Sequence, residues 1–342
     1  MQDLDWFHDR IDRLRAEIGK VLVGQRGVID GVLTCLVADG HVLLEGVPGL
    51  GKTLLVKTLA EALGLQFRRI QFTPDLMPAD ILGTTMLEEI PGGGRTLRFQ
   101  HGPVFTQILL ADEINRATPK TQSALLEAMQ ERQVTIHGER RALPQPFFVM
   151  ATQNPLEMEG TYPLPEAQLD RFFYKVSVPF PTVDELMEVA ERTTGLATQQ
   201  VSPVITPDDL TRLRRIVREI PVDPTVMRYA MRLVLATHPE LPSGTATARK
   251  YLKWGASPRG AQTLVLGARV HALLNRQPNA SIAGVRAAAL PALRHRLGLG
   301  FEAEAEGLRA DDLVTRILDE VPEVEGRVAA ELRPGAPPRA SA

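Results

Sequence analysis

The chain has 342 residues, a formal net charge of −2, 44% hydrophobic and 23% charged residues, and one cysteine. That length allows one to three domains around a buried core, with the composition of an ordinary soluble globular protein. The near-neutral charge excludes a global field drawing the chain to nucleic acid or acidic membranes, the lone Cys35 excludes an internal disulfide, and no apolar run approaches the roughly 20 residues of a membrane span.

Leu4, Phe7, Ile11, Leu14 and Ile18 step by three and four, which predicts an amphipathic N-terminal helix. The opening MQDLDWFHDR is charged and lacks a signal-peptide apolar region, so a cytoplasmic location without membrane insertion is expected. A turn at VLVGQ and a helix to about Ala38 follow; Cys35, in VLTCLVA, reads as a core residue rather than a reactive thiol. The run from His41 to Thr53 then reads as a short apolar strand, a glycine-rich turn and a helix from Lys52 to about Leu63. Four more apolar segments, Arg69–Phe72, Ile108–Asp112, Phe147–Thr152 and Tyr174–Val178, read as buried strands of a parallel sheet. Helical patterns alternate with them, among them Pro119–Glu131, with Thr118 as N-cap and Pro119 at the first helical position. Such alternation predicts an α/β fold.

After Pro179-Phe180-Pro181 only helices are expected, to about Leu332. Thr182…Glu185 and Thr206…Asp209 resemble capping boxes, and Asp223-Pro224 and Ser257-Pro258 are N-cap and first-turn pairs. Further helices are predicted over Ser281–Leu297, interrupted at Pro291, and over Asp311–Glu320. The expected division is therefore an α/β domain over 1–181, a helical domain over 182–332 and a disordered Pro/Ala/Arg-rich tail over 333–342. Arg212, Arg214, Arg215 and Arg218 read as a solvated helix face rather than a nucleic-acid site.

The segment Gly46-Val-Pro48-Gly49-Leu50-Gly51-Lys52-Thr53 has the spacing of a phosphate-cradling P-loop. Its glycines let backbone N–H groups close on phosphate oxygens without interference from a Cβ. The helix N-terminus behind them adds about half a positive charge. Lys52 would reach the β- and γ-phosphates of ATP and the Thr53 hydroxyl would hold Mg²⁺, with Leu54 completing the candidate nucleotide-binding set.

Hydrolysis needs more than binding. Ile108–Glu113, ILLADE, is an apolar strand ending in two carboxylates. Asp112 can hold the Mg²⁺ water shell while Glu113 orients and deprotonates the attacking water. A third strand, FFVMATQN, ends at Asn154, whose amide can hydrogen-bond both the lytic water and the γ-phosphate.

Taken in order, GVPGLGKT, ILLADEINRA, VMATQNP, YPLPEAQLDRF and GASPRG resemble the MoxR branch of the AAA+ ATPases, over about Val23 to Arg259. The resemblance implies a five-stranded αβα core, a helical lid, and nucleotide sites between subunits of a homo-oligomeric ring, usually a hexamer. It implies that Gly24 and Gln25 lie near the adenine, that Asn154 is the first sensor, that Arg171 in LDRF is the arginine finger and that Arg259 in ASPR is the second sensor. Arg116 is a second candidate for contact across the subunit interface. Such a guanidinium meets the charge that accumulates on a transferring phosphoryl group, at about 10³–10⁵ in rate. Many relatives carry an acidic residue where Gly46 stands, and Gly46 restores the common P-loop consensus.

Two hairpin insertions are predicted, one between Asp80 and Phe105 with a tip at Gly92–Gly94 and one between Gln130 and Phe147 with a turn near Gly138. The first lacks the GAFTGA loop of sigma-54 activators, which argues against a transcription activator. The leading function is a Mg²⁺-dependent ATPase that remodels or matures client proteins, the resemblance implying a partner with a von Willebrand factor A domain. A motor subunit of a chelatase-type metal-insertion complex, a nucleic-acid-coupled translocase and a nucleotide-gated scaffold are the alternatives. The absence of a basic stripe disfavours the translocase, and the intact Glu113 disfavours the scaffold.

Overall fold

Four largely apolar segments and one mostly polar, exposed edge strand, Phe67–Gln71, pair in a single parallel sheet, as the computed structural model shows over residues 2–90, 94–155, 160–195 and 199–323. The order across it is Phe67–Gln71, Ile108–Asp112, Phe148–Gln153, His41–Glu45, Phe172–Ser177. The buried apolar strand expected at Arg69–Phe72 is thereby corrected. In chain order the first part comprises α1 (Gln2–Val21), α2 (Arg26–Val37), β1 (His41–Glu45), α3 (Lys52–Ala62), β2 (Phe67–Gln71) and α4 (Pro78–Leu82). The hairpin β3 (Gly83–Ile90) and β4 (Gly94–His101) precedes β5 (Ile108–Asp112) and α5 (Pro119–Glu131). Then come β6 (Gln133–Ile136), β7 (Glu139–Ala142), β8 (Phe148–Gln153), α6 (Glu166–Leu169), β9 (Phe172–Ser177), α7 (Val183–Thr194) and α8 (Pro207–Glu219).

Burial on both faces explains why the central strands read as continuous apolar runs rather than alternating ones. Every residue of β5 is buried, as are the first four of β1. One face carries Leu43, Leu109, Ala111, Val149 and Ala151, which join Leu125, Leu126 and Met129 of α5 in a single core. Thr118 precedes α5 in extended conformation but makes no capping bond to the helix; its hydroxyl meets that of Thr121 at 3.2 Å.

Both insertions form as two-stranded ribbons. In the first, Gly83 pairs with His101 and Ile90 with Gly94; Gly92 and Gly93 of the expected tip lie outside the described residues. In the second, β6 and β7 meet at His137 and Gly138, with φ of 50° and 83°, the double positive φ of a tight hairpin turn. The guanidinium of Arg141 on the second ribbon lies 4.1 Å from the ring centre of Phe99 on the first, and Phe99 in turn packs edge-on against His101 and Phe105.

The chain divides into two compact units, Met1–Glu219 and Ile220–Ala342. The division thus falls after α8 rather than at the composition change near 181. The physical reason is that α8 packs on α1 and α2. Arg214 Nη1 lies 2.6 Å from Asp39 Oδ1, Arg132 Nη2 donates to Asp39 Oδ2 at 2.6 Å, and Arg212 stacks on Trp6. The expected solvated arginine face is therefore corrected in part: Arg214 is largely covered, at 15% exposure, in this pairing, while Arg215 remains exposed beside Glu219.

The second unit contains α9 (Pro224–Ala236), α10 (Ala246–Tyr251), β10 (Leu252–Trp254), α11 (Pro258–Leu274), α12 (Ile282–Leu293), β11 (Gly298–Leu299), α13 (Phe301–Ala305) and α14 (Ala310–Glu320). Asp223, Thr245, Ser257 and Ser281 each accept a first-turn backbone N–H, which satisfies donors the helix cannot. Two expectations are corrected. The helices are joined by a short antiparallel pair, β10 with β11, and Pro291 lies inside α12 without interrupting it. So late in the helix Pro291 removes one ladder donor, and two residues remain before the helix ends. The tail over 333–342 lies outside the described residues.

Candidate active site

The carboxyl ends of β1, β5 and β8 bring the predicted residues to one cleft of about 420 Å³, lined by Pro48, Gly49, Gly51, Lys52, Thr53, Leu54, Asp112, Glu113 and Asn154. Gly51 begins α3 in the left-handed conformation, φ 76°, with no side chain capping the helix. The first-turn N–H groups of α3 are therefore not taken by a local acceptor and suit an anion. Gly46 sits in close approach: a Cβ there would meet Val178 Cβ at 3.0 Å and the Val178 carbonyl at 3.1 Å, tighter than ordinary contact.

Lys52 Nζ donates to the Gly46 carbonyl at 2.5 Å. Half-burial lowers its pKa by desolvation, and the charges of Asp112, Glu113 and Glu45 oppose that shift. Asp112 ends β5 as a buried carboxylate. Its Oδ1 accepts the Thr152 hydroxyl at 2.6 Å, and its Oδ2 accepts Arg69 Nη2 at 2.7 Å and Nε at 3.0 Å. Glu113 follows at φ 55°, ψ 51°, a left-handed conformation that costs a non-glycine residue of order 1–3 kcal/mol. Its own amide donates to Thr152 Oγ1 at 2.8 Å, which fixes the turn. On the side chain, Oε2 accepts Gln71 Nε2 at 2.7 Å and Arg116 Nη1 at 3.0 Å.

Gly24 and Gln25 approach the loop from the N-terminal side, where Gln25 Nε2 donates to the Leu50 carbonyl at 3.1 Å. Glu185 of α7 lies directly against Gly24, so that a Cβ on that glycine would overlap its carboxylate. Hydrogen bonds from the Thr182 and Gln25 backbone hold the Glu185 carboxyl below its usual pKa. Arg171, just before β9, is not among the residues lining the cleft. Arg259 lies in the first turn of α11, its amide donating to Ser257 Oγ.

Three participants were not anticipated. Arg69 and Gln71 line the cleft from β2, and Thr152 bridges the two acids from β8. Gln71 pairs in register with Asp112, and Arg69 lies two residues back on the same face. The available signal was that two-residue spacing beside a strand ending in acids. Reading it required knowing that β2 is the neighbour of β5.

Comparison with known proteins agrees with this architecture. The family profile "ATPase family associated with various cellular activities (AAA)" matches residues 41–174, and "AAA lid domain" matches 245–317. Chaperone MoxR1 of Mycobacterium tuberculosis (strain ATCC 25618 / H37Rv) is 42% identical over 91% of this chain and 81% of its own length. YeaC of Bacillus subtilis (strain 168) is 41% identical over 92% and 95%. A crystal structure of a protein from Cytophaga hutchinsonii ATCC 33406 superposes with a TM-score of 0.87 at 39% identity, covering 94% of this chain and 97% of that one. With the P-loop at the end of β1, the acid pair at the end of β5, a helical second unit and relatives alike over nearly the whole length, the chain belongs to the MoxR family of AAA+ ATPases.

Proposed function

We propose that the chain is a magnesium-dependent, ring-forming ATPase that uses hydrolysis to remodel or mature partner proteins. The observation that supports this best is the convergence of Lys52, Thr53, Asp112, Glu113 and Asn154 on one cleft. Amides of the P-loop and the Lys52 ammonium would grip the phosphates. Thr53 and Asp112 would hold a magnesium ion, whose charge helps neutralise the β- and γ-phosphates. Asp112 suits that task, since it already carries a cation, Arg69, on Oδ2. Glu113 takes the proton of the attacking water. Both of its bonds fall on Oε2, which leaves Oε1 for that role. Asn154 orients the water.

Arg171 and Arg259 act on the same phosphates as finger and sensor, Arg171 from the neighbouring subunit. The name of the relative Chaperone MoxR1 supports a protein client, and a von Willebrand factor A-domain protein is the partner proposed. The test is Glu113→Gln, which keeps the shape and removes the base. Turnover is expected to fall about 10²–10⁴-fold with ATP still bound, and the trapped, ATP-loaded protein is expected to retain its partner. Unchanged turnover would remove Glu113 from the reaction.

A further inference from the structure

Arg69 is given no step in the scheme above, yet it sits on the carboxylate that the scheme reserves for the metal. Its guanidinium gives Asp112 Oδ2 two bonds, at 2.7 and 3.0 Å, and Nη2 also donates to Gln71 Oε1 at 2.7 Å. Thr152 already engages Oδ1. A chain of contacts therefore runs Thr152–Asp112–Arg69–Gln71–Glu113–Arg116, joining both acids through one cation in the middle. Asp112 is 13% exposed whereas Arg69 is 48% exposed, so the acid is fixed and the arginine can swing. The strand β2 stands at the sheet edge, with no strand beyond it among the described residues to obstruct that swing.

We propose that Arg69 is a positioning residue that serves as a built-in substitute cation: it neutralises Asp112 until the metal arrives, and is then displaced from that carboxylate. The inference rests on the cleft being a magnesium–ATP site. Asp112 and Glu113 form an anionic wall that would repel a nucleotide lacking metal, and Arg69 screens that wall. When metal engages Asp112, Oδ2 must be shared or released. Arg69 is half-exposed, so its guanidinium can return to water once it leaves Asp112.

The consequence is a change in how strongly nucleotide binding depends on metal. A fluorescent, non-hydrolysable ATP analogue is titrated into the full chain with magnesium chloride or with EDTA, and the ratio of the two affinities is taken. In Arg69→Met, binding in EDTA is expected to weaken about tenfold, as for loss of one charge-assisted contact at a half-exposed site. Binding with magnesium is held or tightened, so the ratio rises by about the same factor. Arg69→Gln, a donor without charge, must behave like Arg69→Met, and Arg69→Lys must restore most of the ratio. A merely structural arginine would lower both affinities together or lower Tm with the ratio unmoved, and either result overturns the proposal. Failure of the wild-type chain to bind the analogue in either buffer overturns the nucleotide site as well, which separates the two claims.

Discussion

Lys52 carries the cost of its position openly: desolvation weakens its charge, and Asp112, Glu113 and Glu45 restore it. An ammonium so placed gains more from a phosphate than one in bulk water, because the local dielectric is lower. Lys52→Ala is expected to weaken ATP binding by roughly tenfold to a hundredfold, the value of a charge-assisted bond of about 1.5–3 kcal/mol; calorimetric titration reads this directly, and unaltered affinity would exclude Lys52 from phosphate binding. Residues of this kind were legible because their chemistry is local: a glycine loop before a helix, adjacent acids after an apolar strand. Arg69, Gln71 and Thr152 were not. Two of them resemble ordinary polar positions on an edge strand, and the third resembles the interior of a buried one. Their roles follow from strand neighbours brought together by tertiary pairing, about which a linear spacing is silent.

Three elements are fastened through a single ring. His41 opens β1; its Nδ1 accepts the Val149 amide of β8 at 3.1 Å, so Nε2 carries the proton toward the Met129 carbonyl of α5 at 3.1 Å. This arrangement needs the neutral imidazole, and burial lowers its pKa to about 4. The unfolded chain takes up that proton near 6.5 and the folded chain only near 4. The contribution is therefore whole above about pH 6.5 and is lost as pH falls toward 4, a span of roughly 3 kcal/mol. His41→Gln is expected to show a smaller fall in unfolding free energy between pH 7 and 4.5, measured by urea titration. An identical fall would place the acid sensitivity elsewhere. At this scale the long elements were readable and the short ones were not. Four of the sheet strands and α5 announced themselves by apolar runs and by Thr118-Pro119, whereas β2 is mostly polar and exposed, and β10 and β11 span three and two residues, too few for any period to register. Pro291 misled because a proline near a helix end subtracts so little.

For the molecule as a whole, the central question is whether one chain suffices for turnover. Arg171 is not among the residues lining the cleft, and the proposed ring would let a neighbouring subunit's copy reach it. Mixing Arg171→Ala subunits with Glu113→Gln subunits is expected to restore a fraction of activity that neither has alone, since some interfaces then carry neither lesion; assays across mixing ratios read this, and no recovery at any ratio would place the arginine in cis. The division after α8 was hidden from the sequence because the ties among Arg214, Asp39 and Arg132 span most of the first unit. The stack of Arg141 on Phe99 has a mechanical meaning. Two ribbons from separate parts of the sequence are joined by this contact, so a pull on either would be shared by its companion.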